Sequence, residues 1–172
     1  WVGAEHPEVV GLVCVNPATQ PQATEVMGML RDMVAGGTEV MDGIGSDIAE
    51  PGVVETAYSG TPLAALLSFQ EDGLVPLSQR YSSMKMPLLL FTSVQDHVVN
   101  PADSDALAAA YSGTVERVML ERSYHVATQD FDKEIIFECQ NQFVPGLKFK
   151  QEFNGLGNEL IKKRIELLYP NS

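Results

Sequence analysis

Lysine and arginine are scarce in this chain: 11 of them stand against 23 aspartates and glutamates, for a net charge of −12. Binding to nucleic acid requires clustered cations that displace counterions from phosphates, so this balance argues against a nucleic-acid partner and for small or neutral ligands. Long apolar runs are absent as well. Runs such as Pro87 to Phe91 fall far short of the ~20 residues of a membrane span, and no charged segment followed by an apolar run opens the sequence. The expectation is therefore a cytoplasmic chain with no membrane span. Cysteine is nearly missing. Cys14 and Cys139 make a weak case for a disulfide, and Cys14, inside an apolar run, reads as a small buried hydrophobe. His6, His97 and His125 share no ligand spacing with either cysteine, so no metal site is expected. No phosphate loop is present either: Gly43-Ile44-Gly45 is not followed by Gly-Lys-Ser/Thr and does not leave a strand, and no cofactor is expected.

What is present describes a globular chain. Its 172 residues are 45% hydrophobic and 20% charged, enough to bury one core. It opens on Trp1 rather than Met, which reads as a processed chain or a fragment. Residues 1 to 16 read as the end of a helix, a turn at His6-Pro7, and an unalternating strand from Val9 to Val15 closed by Asn16-Pro17. Apolar runs of that kind belong to parallel strands covered on both faces. Pro87 to Thr92 repeats the pattern. A helix is expected over Asp103 to Tyr111, stopped by Gly113, then a strand over Glu116 to Leu120. Phe131 to Phe143 reads as a further helix, with Phe131, Ile135, Ile136, Cys139 and Phe143 as its stripe. Strands alternating with helices predict an α/β fold of about three parallel strands joined by right-handed crossovers.

About seventy residues, Pro17 to Lys85, separate the first two strands, far more than a usual connection. Thr24 is placed to cap a helix through Val34 that Gly36-Gly37 ends, and a second helical pattern runs from Thr61 or Pro62 to Phe69. Up to Met84 the insertion carries 9 acidic residues against Arg31 and Arg80, a net of −7, with Lys85 just beyond that count. Its apolar stripes read as a cap over a pocket or as an extra layer of core. The division is thus a partial α/β core at 1–16 and 86–143, a helical insertion at 17–85, and an unassigned tail at 144–172. The tail reverses the charge balance, with Lys148, Lys150, Lys162, Lys163 and Arg164 against Glu152, Glu159 and Glu166. Asn158 to Leu168 reads as a short amphipathic helix, docked or frayed rather than membrane-bound.

The chemistry sits in Ser93-Val94-Gln95-Asp96-His97-Val98-Val99 and Ser123-Tyr124-His125-Val126. Reactive groups of an open parallel sheet gather on loops leaving the carboxyl ends of strands, and Asp96 and His125 both follow a strand. They lie 29 positions apart, the span of one helix and one strand, so neighbouring strands can bring them together. A carboxylate that orients an imidazole, and an imidazole that shuttles a serine proton, need these two residue types. Taken singly, Asp96 suits a turn or cap and His125 a backbone-bonded loop histidine. His97 is expected to point elsewhere.

Together with Pro87-Leu88-Leu89-Leu90, Glu121 to Thr128 and the Trp1 to Asn16 helix and strand, these motifs make the chain resemble the carboxyl-terminal half of an α/β-hydrolase. The branch resembled is that of carboxylesterases and monoacylglycerol-lipase-like enzymes, close to the serine aminopeptidase-type hydrolases, and the similarity covers about residues 1 to 143. The resemblance implies Asp96 as triad acid, His125 as base, the insertion as a cap lining an acyl pocket, and a small apolar ester as substrate of the parent enzyme. One element of that family's pattern is missing. No Gly-x-Ser-x-Gly elbow occurs: Gly43-Ile44-Gly45-Ser46-Asp47 has its serine one place late, Tyr58-Ser59-Gly60 lacks the first glycine, and Ser123 is too near His125 in sequence to attack. The nucleophile and the oxyanion donors are expected upstream of Trp1, and the isolated chain is expected to be inactive, with the missing amino-terminal half as its partner. The rival readings are another chemistry on the same scaffold (peptidase-, dehalogenase- or carbon–carbon hydrolase-like) or a non-catalytic interaction module.

Overall fold

The computed structural model describes residues 1–137. The Val2–Glu5 helix (α1) leads to strand β1, Leu12–Val15, and the long insertion follows. It contains α2 (Thr24–Ala35), a hairpin-like pair β2 (Val40–Asp42) and β3 (Gly60–Pro62), and α3 (Leu63–Ser68), which runs on through a wide turn at Phe69–Leu74 into α4 (Val75–Ser78). The chain then returns to the sheet through β4 (Leu88–Ser93), α5 (Pro101–Ala110), β5 (Val115–Leu120) and the single turn α6 (Lys133–Ile136). Strands β1, β4 and β5 form a parallel sheet in that order, while β2 and β3 pair antiparallel.

The central strand explains the order. Leu88, Leu90, Phe91, Thr92 and Ser93 are all buried, as expected where neighbours and packing cover both faces of a strand. Leu88 and Leu90 pack with Tyr81, Met84, Leu107 and Tyr111, whereas Phe91, on the other face, packs with Leu120 and Ala127. Tyr81 and Met84 lie in the insertion's sequence, so its last residues belong to the sheet's core. Its earlier part has a core of its own, in which Met27 and Leu30 of α2 meet Leu63 of α3. Gly113 lets the chain turn tightly into β5: a Cβ there would sit 2.5 Å from the Met86 carbonyl oxygen.

Four local expectations need correction. Strand β1 begins at Leu12, not Val9, and is not covered on both faces: Val10 and Val13 are exposed. It stands at the edge of the sheet among the described residues, with Gly3 of α1 lying close against the Leu12 side chain. Thr24 is the first residue of α2 rather than its cap. Ala23 holds the cap position, and its carbonyl accepts the Met27 N–H, with no side-chain bond. The far end behaves as expected, since Gly37 at φ +89° closes α2 with Gly37 N–H to Val34 and Thr38 N–H to Met33. Helix α5 starts at Pro101 because the Asn100 side chain accepts the Ala102 N–H at 3.0 Å. Finally, of the helix expected from Phe131 to Phe143, the described part holds a single turn, Lys133–Ile136, ended at extended Phe137. Asp130 and Asp132 hold their segment as a loop by accepting backbone N–H groups, so Phe131 and Ile135 stay exposed and, among the described residues of the stripe, only Ile136 reaches the core.

Cys14 is a free thiol packed against the core, and burial pushes its pKa up. Cys139, Phe143 and the whole tail from residue 144 lie outside the described residues. Among the described residues no helix is long and apolar enough to cross a membrane.

Candidate active site

The turn after β4 carries Asp96, and the loop after β5 carries His125. Parallel pairing of β4 with β5 sets these loops side by side at the carboxyl ends of the strands. Asp96 is almost wholly buried, and its two oxygens face different ways. Oδ1 accepts the N–H groups of Val98 and Val99, each at 2.8 Å, and Oδ2 lies 2.9 Å from His125 Nδ1. The aspartate therefore closes its own turn with one oxygen and reaches the imidazole with the other.

His125 is held from several directions. Asn16, at φ +46° just after β1, accepts the Ser93 N–H at 2.7 Å through its side-chain oxygen. Its NH2 donates to the Ser93 hydroxyl at 2.9 Å and to the His125 carbonyl at 2.8 Å. Ser93 in turn donates to the Tyr124 carbonyl. Asp47, from the insertion, accepts the His125 N–H at 3.0 Å. The ring is partly open to solvent, at 30% side-chain exposure. Its pKa lies above 6.5 mainly because of the hydrogen bond to Asp96; burial opposes the rise, and the charges of Asp96, Asp47 and Glu55 add to it.

His97 points away from Asp96, as expected. Its Nδ1 lies 2.8 Å from Asp47 Oδ1, and its ring meets Tyr124 edge-on. Two of the serines passed over in the sequence have occupations of their own: Ser46 accepts the Glu55 N–H and Ser123 accepts the Asp132 N–H. Among the described residues the His125 ring has one side-chain partner, Asp96. No group of three His, Cys, Asp or Glu side chains among these residues is arranged to hold a metal ion.

Sequence reading missed the supporting tier. Asp47, Asp130 and Asp132 are buried carboxylates that accept backbone N–H groups, Asp47 and Asp130 from segments remote in sequence and Asp132 from Arg122 and Ser123. Burial alone would raise the Asp47 carboxyl, but the His97 ring and the His125 and His97 N–H groups outweigh it and hold the pKa below 3.8. Asn16 and Ser93 carried a faint signal, each standing where an apolar strand ends; Asp47 carried none.

Beside the Asp96 loop lies a cavity of about 480 Å³. Its walls are Met29, Ile44, Leu66 and Phe69 of the insertion with Val98 and Val99 of the loop. It reaches the two residues whose N–H groups bind Asp96, though not the His125 ring itself.

The chain is 33% identical over 146 residues to a thermostable monoacylglycerol lipase of Bacillus sp. (strain H-257), a match covering 83% of this chain and 56% of that protein. A solved structure from the metagenome-derived lipolytic enzymes LipS and LipT superposes with a TM-score of 0.71 at 33% identity, over 79% of this chain and 55% of that one. The chain is a homologue of lipase and esterase α/β-hydrolases. A Paleococcus ferrophilus monoacylglycerol lipase shares the α/β-hydrolase fold at a TM-score of 0.52 and 14% identity, covering 78% of this chain and 58% of that one. No protein-family model matches the chain. The chain spans about half the length of the relatives it matches.

Proposed function

We propose that the chain supplies the acid and base of a serine ester hydrolase acting on a small apolar, acylglycerol-like ester. The carrying observation is the 2.9 Å contact between His125 Nδ1 and an Asp96 carboxylate whose other oxygen is fixed by two N–H groups. Because Oδ2 holds the proton on Nδ1, Nε2 is left as the acceptor that general-base catalysis requires. His125 takes the serine proton through Nε2 as the hydroxyl attacks the ester carbonyl, and returns it to the departing alcohol. A water activated the same way then releases the acid. Asp96 orients the ring and stabilises the imidazolium without being protonated.

The serine and the oxyanion donors belong, in this reading, to a segment outside these 172 residues. The insertion acts as a cap, and its apolar cavity wall takes an acyl chain. The Bacillus relative, a monoacylglycerol lipase, supports the ester class.

Two measurements test the proposal. The coding sequence before Trp1 should contain Gly-x-Ser-x-Gly at a strand-to-helix turn. A fluorophosphonate probe should label a polypeptide extended through that serine and leave residues 1–172 alone unlabelled; labelling of the 172-residue chain refutes the reading. The raised pKa of His125 adds a pH prediction. Only the neutral ring is a base, so kcat/KM of the extended enzyme should rise with pH through a midpoint above 6.5. The linkage to stability has the opposite sense. The charged pair's contribution is complete below 6.5 and is lost as pH rises through the folded-state pKa.

A further inference from the structure

We infer that Asp47 is a positioning residue for His125, so that the insertion helps hold the base as well as covering a cavity. The inference rests on the reading of Asp96 and His125 as acid and base, and deepens it.

The loop between β2 and β3 brings Asp47 to the carboxyl ends of β4 and β5, where its side chain is only 10% exposed. Oδ2 accepts two backbone N–H groups, from His97 at 3.1 Å and from His125 at 3.0 Å. Oδ1 meets the His97 ring at 2.8 Å, and the Asp47 carbonyl accepts the Val126 N–H at 3.1 Å. One oxygen atom thus bridges the amide immediately after Asp96 and the amide of His125 itself. Such a bridge fixes the separation of the two backbones that carry the acid and the base.

The effect on the ring follows from what else is fixed. Asn16 holds the His125 carbonyl from the sheet side, so hydrogen bonds grip the N–H and the C=O on either side of its Cα. The side-chain torsions are all that remain free, and Asp96 selects among them. Without the bridge, the His125 amide loses its only acceptor among the described residues, and the contact of Nδ1 with Oδ2 depends on a looser loop. Misplacement by about an ångström is enough to reduce catalysis severely.

Geometry and charge can be separated by substitution. Asp47→Asn keeps the length and leaves an oxygen for both N–H groups, with its NH2 turned to the His97 ring. Asp47→Glu keeps the charge and moves the carboxylate by one methylene. Asp47→Ala removes both. All are made in the 172-residue chain and read by proton NMR. The low-field resonance of the His125 Nδ1 proton reports its bond to Asp96, and hydrogen exchange of the His125 and His97 amides reports the bridge.

Positioning predicts a wild-type low-field resonance and wild-type exchange in Asp47→Asn. In Asp47→Glu and Asp47→Ala the resonance should broaden away and both amides should exchange roughly tenfold faster. If Asp47→Ala does not fold, the Asn and Glu variants decide. Wild-type behaviour of Asp47→Glu with loss in Asp47→Asn would assign Asp47 a charge effect and overturn the inference, as would wild-type spectra from every variant. A wild type with no low-field resonance but with Asp47-dependent amide exchange would support the bridge and count against the acid–base reading, so the two fail separately.

Discussion

Asp96→Asn is expected to lower kcat for a nitrophenyl ester about 10⁴-fold in the enzyme extended through its serine, with KM little changed. The structure forces the direction in which the new amide sits. Oδ1 of Asp96 accepts the N–H groups of both Val98 and Val99, and an NH2 placed there would face two donors. The carboxamide oxygen must therefore stay in the turn, leaving NH2 toward His125 Nδ1. The ring then accepts at Nδ1 and carries its proton on Nε2, the tautomer that cannot take a proton from serine. Folding should be nearly unaffected, because the turn keeps its acceptor. His125→Ala removes the base outright and should match or exceed this loss, and combining the two should add little, since residues that act as one unit are not additive. Steady-state kinetics of the three variants check this. A loss below tenfold in Asp96→Asn would mean that the contact at 2.9 Å does not set the tautomer.

Asp96 and His125 were legible because topology and chemistry coincide there. Each follows an apolar strand, and the residues between them form one helix and one strand, which places them on adjacent loops of a parallel sheet. Strand β4 was legible for a related reason: a strand buried on both faces has no alternation to misread. Strand β1 misleads because valine runs look alike whether covered or bare, and Val10 and Val13 are bare. The stripe from Phe131 carries helical spacing, but two aspartates nearby bind the backbone as a loop, and a periodicity argument does not register that competition. Asp47 was illegible for the deepest reason. Its partners are the backbone N–H groups of residues fifty and more positions away, and backbone amides leave no trace in a sequence.

Asp130→Ala should destabilise the chain by about 3 to 5 kcal/mol, among the largest effects available to a single side chain. Asp130 is fully buried. Its carboxylate accepts four N–H groups, from Ala49 at 2.7 Å and Tyr124 at 2.9 Å on one oxygen, and from Glu50 at 2.9 Å and Phe131 at 2.8 Å on the other. Removing it strips the acceptor from all four at once, and each unsatisfied buried donor costs about 1 to 3 kcal/mol before water enters. Asp130→Asn should be milder but still harmful, since one pair of donors then faces an NH2. Urea unfolding of the 172-residue chain should show a lower midpoint at unchanged slope. The pH dependence supplies a second check. Burial alone would raise the Asp130 pKa, but the N–H bonds outweigh it and hold it below 3.8. Its stabilisation is therefore fully present above 3.8 and fades as pH falls through the folded-state value, so the gap between wild type and Asp130→Ala should narrow in acid. The damage would extend beyond the loop itself, because Ala49 and Glu50 lie only two and three positions after Asp47. Freeing them loosens the segment whose carboxylate holds the His125 amide, so a stability change at Asp130 should also appear as faster exchange at His125.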